Sequence, residues 1–121
     1  MLKCFFPVLT IHIFIVRFRL TCLERLDIGQ NDMQEVPEVV GSLTNLRELW
    51  MDQNRIKELP ASIGNLTRLV HLETSLNHIS KISESIGACV SLTDLAVTTN
   101  DLKVSSSLTL YSLDLLTPLI T

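Results

Sequence analysis

Aromatic residues are scarce in this 121-residue chain, at 5% of its length, although hydrophobic residues reach 46%. Burial must therefore fall to aliphatic side chains, chiefly leucine and isoleucine, and such a core suits thin, repetitive layers. Cysteine is scarce too: Cys4, Cys22 and Cys89 form no C-x-x-C pair. That excludes a disulfide framework and favours a reducing compartment. Positive charge is the third shortage. Between Leu20 and Lys103, seven basic residues face twelve acidic ones, which argues against nucleic acid as a partner and for a basic or mixed protein surface. There is also no phosphate-binding glycine loop and no nucleophile with an identifiable base, so no catalytic residue, cofactor or metal site is expected. The length bounds one domain with one core.

What the chain does have is a period. Leu23, Leu46, Leu69 and Leu92 open four segments spaced by 23 residues. Their starts are LERLDIGQNDM, LRELWMDQNRI, LVHLETSLNHI and LTDLAVTTNDL, all following L-x-x-L-x-φ-x-x-N-x-φ, where φ is usually apolar. This is the pattern of a leucine-rich repeat, and it predicts an α/β solenoid. Each repeat supplies one strand to a short parallel sheet on the concave face, with turns or short helical segments on the convex face. The domain boundaries expected are a repeat region over 20–104, an apolar, basic-flanked extension over 1–19 and a Ser/Leu/Thr-rich tail without the consensus over 105–121.

Each column has a physical reason. The fourth and sixth places alternate with polar residues, as a half-buried strand requires, so Leu26 and Ile28, Leu49 and Met51, and Leu95 and Val97 point inwards. Leu72 has the weaker partner Thr74. The column Asn31, Asn54, Asn77 and Asn100 sits where the chain leaves the strand, and a side-chain amide offers donors and an acceptor to buried backbone groups there. It reads as a structural ladder between coils. Pro37 and Pro60 open the outer segment, where proline fixes φ and needs no amide donor. Gly41, Gly64 and Gly87 follow at equal offsets and are expected to permit a tight return towards the next strand. Cys89 takes the place of Leu43 and Leu66 and reads as a small buried hydrophobe.

The consensus fails at both ends. In the upstream frame the asparagine place holds Val8 and the glycine place Phe18; downstream, Ser105, Ser106 and Leu110 stand where an apolar residue, a proline and a glycine belong. Neither flank resembles the polar cap of a solenoid, which suggests a fragment of a longer array. Residues 1–16 carry Lys3 and then CFFPVLTIHIFIV, an apolar run of thirteen residues, too short to span a bilayer comfortably. A secretory signal is the alternative reading of that run. Pro7, His12 and the arginines that follow speak against it. The sequon Asn65-Leu66-Thr67 would matter only in a secreted chain, and Leu66 belongs to the core pattern.

The stretch LERLDIGQNDMQEVPEVVGSLTNLRELWMDQNRIKELPASIGNL resembles repeats of the LAP family of cell-polarity scaffolds. The pieces LERLDIG, EVPEV and RELWMDQNRI carry surface positions as well as leucines, and the similarity runs from about Leu20 to Val104. By resemblance, the chain would be part of an intracellular polarity or signalling scaffold. It would work in the cytoplasm, at the plasma membrane or cell junctions, with small GTPases or cortical polarity proteins as partners.

Strand residues at the third, fifth and seventh places should face the concave side, which repeat proteins use for partners. The third-place column is Arg25, Glu48, His71 and Asp94. The fifth contains Asp27, Trp50 and Glu73, and the seventh contains Asp52. An exposed tryptophan among carboxylates reads as an interface anchor; the competing reading is a ring lying against neighbouring strands and stiffening the sheet. His71 and His78 lack ligand spacing. Three readings of the whole follow: a protein-interaction module of an intracellular scaffold, a secreted or membrane-tethered fragment, and a truncated fragment without independent function.

Overall fold

A computed structural model describes residues 2–3, 15 and 20–102 of the chain. A parallel sheet in sequential order runs through it: β1 (Leu2–Lys3), β2 (Arg25–Asp27), β3 (Glu48–Trp50), β4 (His71–Glu73) and β5 (Asp94–Ala96). From β2 onwards each residue faces the one 23 positions further on, as with Leu26, Leu49, Leu72 and Leu95. β1 is out of step by one: Leu2 faces Leu26, an offset of 24. The sheet therefore continues upstream of the consensus but leaves its frame.

The opposite side of each coil is one turn of 3-10 helix: Glu38–Ser42, Ala61–Asn65 and Glu84–Ala88. Pro37 and Pro60 precede the first two with φ of −61° and −66° and extended ψ, the dihedrals their rings prescribe. Ser83 takes the same conformation in the third coil, and its Oγ accepts a hydrogen bond from the Ser85 amide. A hydroxyl cap thus replaces a ring constraint.

Between these two sides lies one aliphatic core. Leu26, Leu46, Leu49, Ile56, Ile63, Leu66, Leu69 and Leu72 are fully buried in it, and Ile15 joins the same cluster. Thr74 is also fully buried, and its hydroxyl donates to the Ala96 carbonyl at 2.9 Å, which satisfies the polar group that made it the weaker core partner. Cys89 lies in the core as well. Burial raises its thiol pKa, and Sγ contacts the Ile63 carbonyl oxygen at 3.2 Å.

The glycines act differently from the expectation drawn from their sequence places. None has a positive φ, so tight-turn freedom is not what selects them. A Cβ at Gly41 would lie 2.5 Å from Ser62 Cβ and 2.7 Å from Ser62 O, and one at Gly64 would lie 2.8 Å from Ser85 O. At these two places the coils approach so closely on the convex side that only a bare α-carbon fits. The left-handed conformation falls elsewhere, on Gln30, Gln53, Leu76 and Thr99, at φ of 55° to 59°. These residues immediately precede the asparagines, and the turn out of each strand imposes this strain on side chains that rarely adopt it.

Most of the 1–19 extension, including most of the signal-like run, lies outside the described residues, as does the whole 105–121 tail. Among the described residues no helix is long and apolar enough to cross a membrane.

Candidate functional site

The asparagine column is built into the turns. Asn54 Nδ2 donates to the carbonyls of Ile28 (3.0 Å) and Met51 (3.1 Å), while its Oδ1 accepts from the Met33 amide (3.1 Å). Asn77 repeats this one coil later, donating to Met51 and Thr74 and accepting from the Ile56 amide at 3.0 Å. Asn100 donates to Thr74 and Val97 and accepts from Ile79. Asn31 donates to Ile28 and Gly29 within its own coil. The first three tie their coil to the preceding one, with both side-chain amide atoms bonded to backbone groups.

The concave columns differ from coil to coil. At the third place, Arg25 Nε lies 3.3 Å from Glu48 Oε1, and His71 Nδ1 lies 2.8 Å from Asp94 Oδ2. Parallel pairing at an offset of 23 puts these residues side by side, so the column resolves into two neighbouring pairs. A similar pair, His78 Nδ1 and Asp101 Oδ2 at 3.3 Å, lies beyond the strands. Sequence reasoning treated both histidines singly; testing charges at the repeat spacing would have found their partners.

Trp50 lies half-buried at the centre of the fifth column, next to Asp27 on β2 and Glu73 on β4. Its ring centroid is 4.4 Å from that of His71, with the planes tilted by 38°. The ring does lie against a neighbouring strand, as one reading expected, while keeping part of its surface open. Trp50 Nε1 and His71 Nε2 are both buried without a hydrogen-bond partner among the described residues, an arrangement that costs about 1–3 kcal/mol per group. Asp27 Oδ1 accepts from the Gly29 amide, and Glu73 Oε1 from the Ser75 amide, each at 2.9 Å. Asp52 Oδ2 has a long contact of 3.4 Å with Gln53 Nε2. Among the described residues, no three His, Cys, Asp or Glu side chains converge in a geometry for metal.

The Leucine Rich Repeat family matches residues 45–66, which run from the end of the first coil to the end of the second 3-10 turn. A leucine-rich repeat protein of Leptospira interrogans superposes with a TM-score of 0.72 at 26% identity, over 82% of this chain and 25% of its own. The fold is a leucine-rich repeat solenoid. An internalin from Listeria monocytogenes agrees, with a TM-score of 0.61 and 29% identity over 68% of this chain and 24% of its own. The chain thus spans about a quarter of the length of each of these solenoids. No curated protein matches the sequence. Leucine-rich repeats generally serve protein–protein interaction, and the concave columns of this solenoid hold a different side chain in each coil.

Proposed function

We propose that the chain is a protein-interaction module that engages its partner through the concave face, with Trp50 as the anchor. The observation that carries this is a contrast within each coil. The fourth place is leucine and the ladder place asparagine in every coil, and the other core places stay almost wholly apolar, whereas the third, fifth and seventh places hold a different side chain in each coil and centre on a half-exposed tryptophan. Aromatic residues that keep a rigid apolar surface beside polar neighbours are the usual hot spots of protein interfaces. Arg25, Asp27, Glu48, Asp52, His71, Glu73 and Asp94 surround it and supply orientation and charge.

The surface positions shared with the LAP family support a finer proposal, that the module belongs to an intracellular polarity or signalling scaffold at the plasma membrane or cell junctions. Small GTPases and cortical polarity proteins are the partners that resemblance suggests. The test is affinity capture by the full chain and by Trp50→Ala from the same cell extract, with urea midpoints to confirm folding. Loss of specific capture with the midpoint held is the expected result. Unchanged capture by Trp50→Ala would overturn the concave-face assignment.

A further inference from the structure

The tryptophan of the concave face is held by an indirect route. Trp50 faces Glu73 in register, yet the ring it meets at 4.4 Å is that of His71, two residues back along β4. The indole therefore leans diagonally towards the third-place column, a reach that aromatic side chains have between neighbouring strands. His71 is bound in turn by the next coil: its Nδ1 lies 2.8 Å from Asp94 Oδ2, and the two are register partners. A carboxylate accepts, so Nδ1 carries the proton. On the other side of His71, its register neighbour Glu48 is engaged by Arg25 at 3.3 Å, which leaves Asp94 to orient the imidazole. Neither ring has a second polar hold: Trp50 Nε1 and His71 Nε2 are buried and find no hydrogen-bond partner among the described residues. A rotamer swung out to water would hydrate the indole N–H, so the ring stays in place only because its contact with the imidazole outweighs that gain. The solenoid itself does not require this arrangement, since the third and fifth places are neither core nor ladder places.

We propose that Asp94 and His71 are positioning residues for the Trp50 anchor: the Asp94 carboxylate fixes the imidazole, the imidazole fixes the indole, and the concave face meets its partner with that ring already in place. This rests on Trp50 being the anchor, as proposed above, and adds how the anchor is held. A free indole loses rotamer freedom on binding, whereas a ring held beforehand loses little, so the pair contributes affinity through preorganisation. Asp94 acts through His71. An uncharged acceptor in its place still takes the Nδ1–H bond, so the charge of the carboxylate is not what this role requires.

Trp50 is the only tryptophan in the chain, so its emission reports the ring directly and needs no partner. In the full chain, with urea midpoints confirming folding, Asp94→Ala and His71→Ala should shift the emission maximum to the red, quicken quenching by acrylamide and shorten the local anisotropy decay. Asp94→Asn should stay close to the parent. Asp101→Ala, which breaks a similar pair with His78 outside the three columns, should change none of these readings. Binding is read as capture of the protein that the parent chain retains from cell extract. Asp94→Ala should weaken it about threefold to tenfold, Asp94→Asn should restore it, and Trp50→Ala should abolish it. Parent-like emission and quenching in folded Asp94→Ala would overturn the proposal. So would equal loss of capture in Asp94→Ala and Asp94→Asn, because the carboxylate charge would then be meeting the partner directly. Capture retained by Trp50→Ala, with the emission changes present, would instead overturn the anchor reading on which the proposal rests.

Discussion

The convex edge of the first two coils and that of the third have the same consensus but different surroundings. Gly41 and Gly64 each face a serine of the following coil at a distance no side chain would tolerate, whereas among the described residues a Cβ at Gly87 would meet nothing within 4 Å. The asparagines show the same gradient. Asn54 and Asn77 are buried, and Asn100, with an equivalent set of hydrogen bonds, is only partly so. A residue in a solenoid column is therefore demanded by the residues packed on it, and identical residues carry different energetic weight according to how closely those approach. The concave columns carry a different side chain in each coil, and the stacked coil still constrains some of them, as Asp52 does Gly29.

The sharpest way to break the comparison is at the ladder. Asn77→Ala leaves the buried Ile56 amide without its partner and removes one of two asparagine donors from each of the Met51 and Thr74 carbonyls, and should lower stability by about 3 kcal/mol in urea unfolding. Asn100→Ala, with water able to reach its site, should lose about 1 kcal/mol. Equal losses would remove the gradient. A smaller effect of opposite sign is expected where the strand exits. Leu76 is 47% exposed and held at φ 59°, so Leu76→Asn relieves left-handed strain with little apolar burial at stake and should raise stability by about 1 kcal/mol.

The smallest effect concerns the core thiol. Burial raises the Cys89 pKa, so the folded state favours the protonated form. That contribution is fully present below the ordinary thiol range and is lost as pH rises through and above it, because the unfolded chain ionises first. Unfolding midpoints should fall slightly in alkaline buffer, and Cys89→Ser should flatten that part of the profile. In the native protein the exposed Cys22 should react with a thiol reagent well before Cys89.

Much of this was legible from the chain. A fixed offset of 23 residues places leucine beside leucine and asparagine beside asparagine, and the inward alternation at Leu26/Ile28 and Leu49/Met51 follows from the strand period alone. The same offset also encodes the Arg25–Glu48 and His71–Asp94 pairs, a signal that becomes visible only when charges are compared across repeats. Other features had no local signature. Gln30, Gln53, Leu76 and Thr99 share a left-handed backbone although none of the four is a glycine or asparagine; the following turn forces it on them. The reason for the glycines lay in the adjacent coil, and the one-residue slip of β1 lay outside the repeat frame. Within the candidate site, the place of Trp50 could be read from its column, but its stacking on His71 depends on rotamers that spacing does not specify.

The most direct test that neighbouring coils decide the role of each column is one pair of urea midpoints, for Gly41→Ala and Gly87→Ala. The first should lose about 1–3 kcal/mol through overpacking against Ser62, and the second should stay within about 0.5 kcal/mol of the parent. Equal losses in the two variants would contradict the account.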